Sequence, residues 1–222
     1  KPYFFRPKVQ LVLVVVAPDY AIAQQPSVFG QRLSPHLDYL VVRSHDRRSK
    51  QTVISPDVLQ KRLQHGRDVL SAIVNLAMAA GMPSRQVRGL FRETAYANKS
   101  RLLASMTFDA TSFSIVGNHT RPGKPGPVTQ EAGTMAYFEV CALVQNGTWR
   151  RTPSTSFGNP MAVRDADGVV YEDAESAQHK ADVVRNASLG GVMLWDVTSD
   201  DYRGDCGTVN PIARVVMDTL KA

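Results

Sequence analysis

The chain has 222 residues, 43% of them apolar, with 26 Lys+Arg against 20 Asp+Glu for a formal charge of +6. That is enough for one large domain, or one domain with an insertion, around a sizeable buried core. The basic excess is modest and scattered, and no aromatic residues interleave with clusters such as Arg47-Arg48-Ser49-Lys50, so no nucleic-acid partner is expected.

The run Lys8–Ala17 is dense in β-branched residues and ends at Pro18. It is far shorter than the roughly 20 residues of a membrane span, and it predicts a strand buried on both faces, as in a parallel sheet. Leu37–Val42 predicts a second short buried strand. A helix follows, with Val69, Ile73, Leu76 and Ala80 on one face and Gly81 and Pro83 as its stop. Its start lies near Pro56, after the cap-like Ser55, or near residue 67, beyond Gly66. Gln86–Phe91 predicts a third strand. Residues 97–170 change character, with alternating segments over Ser105–Val116, the loop Arg121-Pro-Gly-Lys-Pro-Gly-Pro127 and many small polar residues. They read as a small antiparallel insertion. Ala174–Asn186 predicts a helix, Leu189–Asp196 a last buried strand and Asn210–Lys221 a closing helix. Alternating strands and helices imply an α/β fold, as a βα barrel or an open sheet.

No dinucleotide, P-loop, HExxH or CxxC motif occurs, and His36, His45, His65, His119 and His179 lack metal-ligand spacing. No metal and no cofactor are therefore expected. Two cysteines, Cys141 and Cys206, fit a reduced protein or a single disulfide. Four sequons, at Asn98, Asn118, Asn146 and Asn186, weight the choice toward secretion and make those asparagines candidate glycosylation sites. In an oxidising compartment the two thiols would pair. The first residue is Lys1 and no leader is visible, so a processed or trimmed form is expected.

Three stretches carry a resemblance: Tyr171-Glu-Asp-Ala-Glu-Ser176 with Lys180; Leu189-Gly-Gly-Val-Met-Leu-Trp195; and Asp200-Asp-Tyr-Arg-Gly-Asp-Cys206. Together they are similar to the last helix and last barrel strand of family-18 chitinases and chitinase-like lectins. Gly133-Thr-Met-Ala-Tyr-Phe-Glu-Val-Cys141 resembles the segment of that family's inserted α+β subdomain that bears a cysteine. The resemblance implies a TIM-barrel-type fold, of which this chain matches the second half, strands five to eight, with the subdomain inserted between the last two strands. Lys8–Ala17 would be the fifth strand, Asp38–Asp46 the sixth, and Val87–Glu93 the lead into the seventh. The implied division is 1–96, barrel strands five to seven; 97–170, the insertion; and 171–222, the last helix and strand with a C-terminal helix. The resemblance also implies a Cys141–Cys206 disulfide.

Family-18 hydrolysis is substrate-assisted and needs a glutamic acid at the end of a D-x-x-D-x-D-x-E motif. That motif is absent from these 222 residues, so no catalytic residue is expected in this chain alone. On strand six the family's Met-x-Tyr-Asp becomes Arg43-Ser44-His45-Asp46, and on strand seven its Tyr-Gly-Arg aligns with Glu93-Thr94-Ala95. The resemblance makes Trp195 the floor beneath a sugar, with Asp46, His45, Met193 and Tyr137 as further ligand-binding candidates. Against this, Trp195 could be a core tryptophan, Asp46 a loop acid or helix cap, and His45 and Glu93 plain surface groups. Asp200-Asp201 reads as structural. The expected function is a secreted, non-catalytic chitinase-like protein that binds a chitin or N-acetylglucosamine-type glycan or a protein partner. The alternatives are one chain of a two-chain chitinase, and a structural or immune interaction protein that binds no sugar. A half-barrel exposes sheet edges, so a second chain or self-association is expected to cover them.

Overall fold

The computed structural model describes residues 10–16, 36–43, 99–117, 119–152, 159–186 and 188–222. The predicted helix before Gly81 and the predicted strand at Gln86–Phe91 lie outside these residues. Among the described residues the strands form two sheets. The first is all parallel: β1 (Val12–Val16), β2 (Tyr39–Arg43), β3 (Leu102–Thr107) and β10 (Gly191–Trp195), side by side in that order. The second is antiparallel and is built between β3 and β10 in the chain. It contains β4 (Asp109–Val116), β5 (His119–Pro122), β6 (Thr134–Ala136), β7 (Arg150–Thr152), β8 (Met161–Arg164) and β9 (Asp167–Val170). Its order is β5-β4-β9-β8-β7, with β6 also on β4.

Three helices are described: α1 (Tyr137–Gln145), α2 (Ala174–Asn186) and α3 (Pro211–Lys221). No helix among the described residues is long and apolar enough to cross a membrane.

The structure corrects two sequence readings. Leu102–Thr107 was expected inside the antiparallel insertion, yet it runs parallel between β2 and β10. The parallel sheet therefore reaches past residue 97, because Ala104 and Met106 supply apolar positions that helices can cover while Ser105 and Thr107 look the other way. The strands at the two ends of the parallel order are also less buried than expected. Val12 is 44% exposed and Trp195 48% exposed, because β1 and β10 each have a neighbour on one side only among the described strands.

Each core has a sequence reason. Ala177 and Ala181 recur at four-residue spacing on α2, and Ile212 and Val216 do so on α3, giving each helix one apolar stripe. These stripes cover Met106, Val192 and Leu194 of the parallel sheet and Phe108 just beyond β3. A second cluster joins Ala110, Met135, Val140, Trp149, Ala162, Val169 and Tyr171 beneath the antiparallel sheet. Tyr137 packs against both clusters and so joins the two halves.

The Gly190-Gly191 pair before the last strand is required twice over. A Cβ on Gly190 would lie 2.2 Å from the Ser100 carbonyl oxygen. Gly191 has φ +142°, which residues with a Cβ rarely adopt.

Candidate functional site

In a parallel α/β sheet, loops at the C-terminal ends of the strands converge on ligands. Here that rim is built by β3 and β10, with Thr107 in register with Trp195 and Ser105 with Met193. Side chains alternate along a strand. Met106, Val192 and Leu194 face α2 and α3, so Ser105, Thr107, Met193 and Trp195 take the opposite face, which none of the described helices covers. The Phe108 N–H donates to the Trp195 carbonyl at 2.9 Å, which fixes the end of β10 against the end of β3.

The chain after Trp195 is held closely. The Asp196 carboxylate accepts the Thr198 N–H at 2.8 Å, and the Thr198 hydroxyl as well, capping a 3-10 turn at Val197–Ser199. The buried Ser199 hydroxyl then donates to Asp109 Oδ1 at 2.7 Å. The Asp109 N–H donates to Thr107 Oγ1 at 3.0 Å. Thr107 and Asp109 thus flank the buried Phe108, and a half-buried carboxylate joins the rim that carries the exposed indole. Sequence reasoning missed Asp109 and Ser199, although Thr107-Phe108-Asp109 continues the alternation of β3 and was there to be read.

Asp46 and His45 lie outside the described residues, as does Glu93-Thr94-Ala95. Met193 sits on the same face as Trp195, two residues before it. Tyr137 begins α1, half-buried between the two cores. Its hydroxyl pKa is pushed up to about 12, first by burial and then by the negative charges of Asp173 and Asp200. Its ring centroid lies 6.4 Å from that of Tyr171, whose pKa burial also raises. These are the surroundings of a packing joint.

The paired acids Asp200 and Asp201 are both fully buried. Asp200 accepts the N–H groups of Ala213 and Asp201, each at 2.9 Å, so it caps α3 from a distant loop, while burial raises its pKa. Asp201 accepts the N–H groups of Gly204, Asp205 and Cys206 at 2.8–3.0 Å and so shapes the loop that presents Cys206. Cys206 is bonded to Cys141 on α1 across 65 residues. Cys141, Asp201 and Cys206 are the one group of potential metal donors among the described residues. With both sulfurs in a disulfide and the carboxylate saturated by backbone donors, this group fits no metal.

Two buried acids shape the rest. Glu139 accepts the N–H groups of Val128, Thr129 and Ala136 and the Thr129 hydroxyl, pinning the Pro-Gly loop to α1. A Cβ on Gly126 would lie 2.2 Å from that carboxylate, so only glycine fits there. Glu172 is ion-paired with Lys180 and accepts the Ser176 hydroxyl, while Asp173 and Ser176 exchange hydrogen bonds at the start of α2. Arg151 binds Asp173 at 2.7 Å, a hydrogen bond that raises the guanidinium pKa.

Comparison with known proteins places this geometry. The sequence profile of glycosyl hydrolases family 18 matches residues 6–200. Human chitinase-3-like protein 2 is 30% identical over 100 residues, which are 45% of this chain and 25% of that protein. A group IV chitinase of Ostrinia furnacalis, solved in complex with allosamidin, superposes with a TM-score of 0.68 at 22% identity, covering 96% of this chain and 57% of that one. Human YKL-39, a pseudo-chitinase with retained chitooligosaccharide binding properties, superposes with a TM-score of 0.55 at 14% identity over 98% of this chain and 82% of that one. These structures share the chitinase fold with this chain. The chain spans a quarter or less of the curated relatives it matches.

Proposed function

The chain belongs to glycosyl hydrolases family 18, and from that premise we propose that it is a secreted, non-catalytic member that binds a chitin-type oligosaccharide on Trp195. The observation that carries this reading is the place of Trp195, 48% exposed, at the C-terminal rim of the parallel sheet. A flat apolar ring beside polar groups suits the face of a pyranose. YKL-39 supports the reading, because a pseudo-chitinase of the same fold retains chitooligosaccharide binding.

In the finer reading, the parallel strands are strands five to eight of a βα barrel, and the antiparallel sheet with α1 is the insertion between the last two. The seventh strand is then β3. The residue after β3 that shares the face of Trp195 is Asp109, so the family's Tyr-Gly-Arg falls on Asp109-Ala110-Thr111 rather than on Glu93-Thr94-Ala95. A carboxylate in place of that phenol binds hydroxyl and amide N–H donors of a sugar but cannot stack on it. These 222 residues also lack the D-x-x-D-x-D-x-E run, so they hold no family proton donor. The Cys141–Cys206 disulfide and the four sequons support an extracellular location.

Titration calorimetry with chitotetraose, paired with a fluorogenic chitobioside assay, tests the proposal. Binding without turnover is expected, with binding lost in Trp195→Ala. Turnover by this chain that disappears in that variant overturns the non-catalytic reading, and silence toward chitooligosaccharides overturns the sugar.

A further inference from the structure

The four sequons are equal as sequence patterns, but the two that begin among the described residues, at Asn146 and Asn186, differ in three dimensions, and the difference selects one of them. Asn146 is exposed and closes α1 as its C-cap, with φ −72° and ψ 0°. Its Oδ1 accepts both the Thr148 N–H at 3.0 Å and the Thr148 hydroxyl at 2.6 Å. The sequon is therefore folded on itself as an Asx turn, the local motif in which an Asn side chain bonds the backbone two residues on. Gly147 lets the turn close, because its φ of +73° is one that residues with a Cβ rarely adopt. With Oδ1 doubly bonded, Nδ2 of the exposed Asn146 keeps both hydrogens without an acceptor among the described residues.

Asn186 is built differently. It is the last residue of α2, in helical conformation, and Ser188 has φ +57° with its N–H donated back to the Arg185 carbonyl at 2.9 Å. The serine of that sequon is committed to ending the helix instead of meeting its asparagine. Asn98 and Asn118 lie outside the described residues.

We propose that Asn146 is an N-glycosylation site and that its pre-folded turn makes it modified in preference to Asn186. The reacting partner is an oligosaccharide carried on a polyprenyl diphosphate. Asn146 Nδ2 bonds to C1 of the reducing-end sugar and loses one proton to a base of the transferase. The C1–O bond to the diphosphate breaks, and the diphosphate leaves with the electron pair. No oxidation occurs. The turn closes within three residues, so it forms before the sheets assemble, when a transferase meets the emerging chain.

The position also decides what the glycan leaves uncovered. Tyr137, at the opposite end of α1, donates its N–H to the Phe108 carbonyl beside the Trp195 rim. Nine residues of helix span about 13 Å. A glycan on Asn146 therefore departs from the end of α1 remote from that rim. It starts beside the disulfide, where Gln145 Nε2 donates to the Cys206 carbonyl at 3.0 Å.

The inference rests on the secretory part of the reading above, and the test separates the two. The full 222-residue chain behind a cleavable leader is expressed in insect cells and released with PNGase F in oxygen-18 water, and its peptides are mapped by mass. Asn146 is expected as labelled aspartate at higher occupancy than Asn186. Thr148→Ala abolishes the label, Thr148→Ser restores most of it, and Asn186→Gln leaves it unchanged. An unlabelled Asn146, occupancy at Asn186 equal to or above it, or indifference to Thr148→Ala overturns the proposal. Translation into microsomes gives the same readout if the protein is not exported, so failure of secretion and failure of the site are told apart.

Discussion

Ser199 and Asp109, 90 residues apart in sequence, meet in a hydrogen bond of 2.7 Å from the serine hydroxyl to Oδ1. The contact joins the turn that follows Trp195 to the end of β3, and it orients a carboxylate that has no other side-chain partner among the described residues. A hydrogen bond to a charged group is worth about 1.5–3 kcal/mol. Ser199→Ala is expected to weaken chitotetraose binding roughly tenfold while the melting temperature falls only slightly, because the carboxylate regains water. Calorimetry and thermal denaturation on the same preparation check this. An unchanged dissociation constant would remove Asp109 from the site.

Trp195 separates binding from folding. Its half-exposed indole contributes less to the core than a buried tryptophan, so Trp195→Ala is expected to cost about 1 kcal/mol of stability rather than the 3–5 kcal/mol of a core truncation. Aromatic anchors at binding sites commonly carry about 2 kcal/mol or more, so affinity is expected to fall by roughly thirtyfold or more. Urea denaturation and calorimetry together read the split. A stability loss of core size with unchanged affinity would make the indole a packing residue.

Glu139 accepts four hydrogen bonds from three backbone N–H groups and one hydroxyl while 4% exposed. Glu139→Ala leaves those donors without the acceptor, at about 1–3 kcal/mol for each one that water cannot reach. A net loss of roughly 3 kcal/mol is expected in urea denaturation. Gly126→Ala is expected to produce a comparable loss by driving a Cβ into the same carboxylate. If Gly126→Ala is neutral, the loop is not anchored as described.

The disulfide acts on the same region from the other side. Closing a loop of 65 residues lowers the entropy of the unfolded chain by an amount worth about 4 kcal/mol at room temperature. The paired variant Cys141→Ser/Cys206→Ser is expected to lose most of that in denaturant unfolding, and reduction of the native protein should reproduce the loss. Equal stability of the oxidised protein and the double serine variant would contradict it.

Some of this was legible in the sequence. Ala174–Asn186 predicts a helix, and α2 has those ends. The predicted last strand, Leu189–Asp196, and closing helix, Asn210–Lys221, are found as β10 and α3 with slightly shorter bounds. The resemblance pointed to the Cys141–Cys206 pair. What failed was β3. Leu102–Thr107 carries the alternation of a sheet exposed on one face, and it runs almost without a break into β4, so local pattern assigned both to one antiparallel unit. Its parallel pairing is set by β2 and β10, about 60 and 90 residues away, and no local pattern records that. Asp109 was missed for the same reason, since its place on the rim follows from the register of β3. Glu139 was quoted as part of a motif, but its role depends on a loop that returns ten residues earlier to be bound.

Tyr137 ties the two cores together, and its ionisation gives that joint a pH signature. In the folded protein its pKa stands at about 12 against 10.0 for the free side chain, raised by burial and by nearby carboxylates. Between those values the unfolded chain has lost the phenolic proton while the folded chain keeps it. The folded state then binds more protons, and stability falls as pH rises. The contribution is complete below pH 10.0 and is lost as pH passes about 12. Tyr137→Phe cannot ionise, so it is expected to be close to wild type in urea denaturation at about pH 9 and more stable than wild type at about pH 11.5. Deprotonation of lysines is common to both proteins and cancels in the difference. Tyr171, raised in the same direction by burial, adds a second contribution, so Tyr137→Phe/Tyr171→Phe should flatten the alkaline limb further. Parallel alkaline limbs for wild type and Tyr137→Phe would mean that the hydroxyl is solvated and that the joint between the two sheets is looser than its packing indicates.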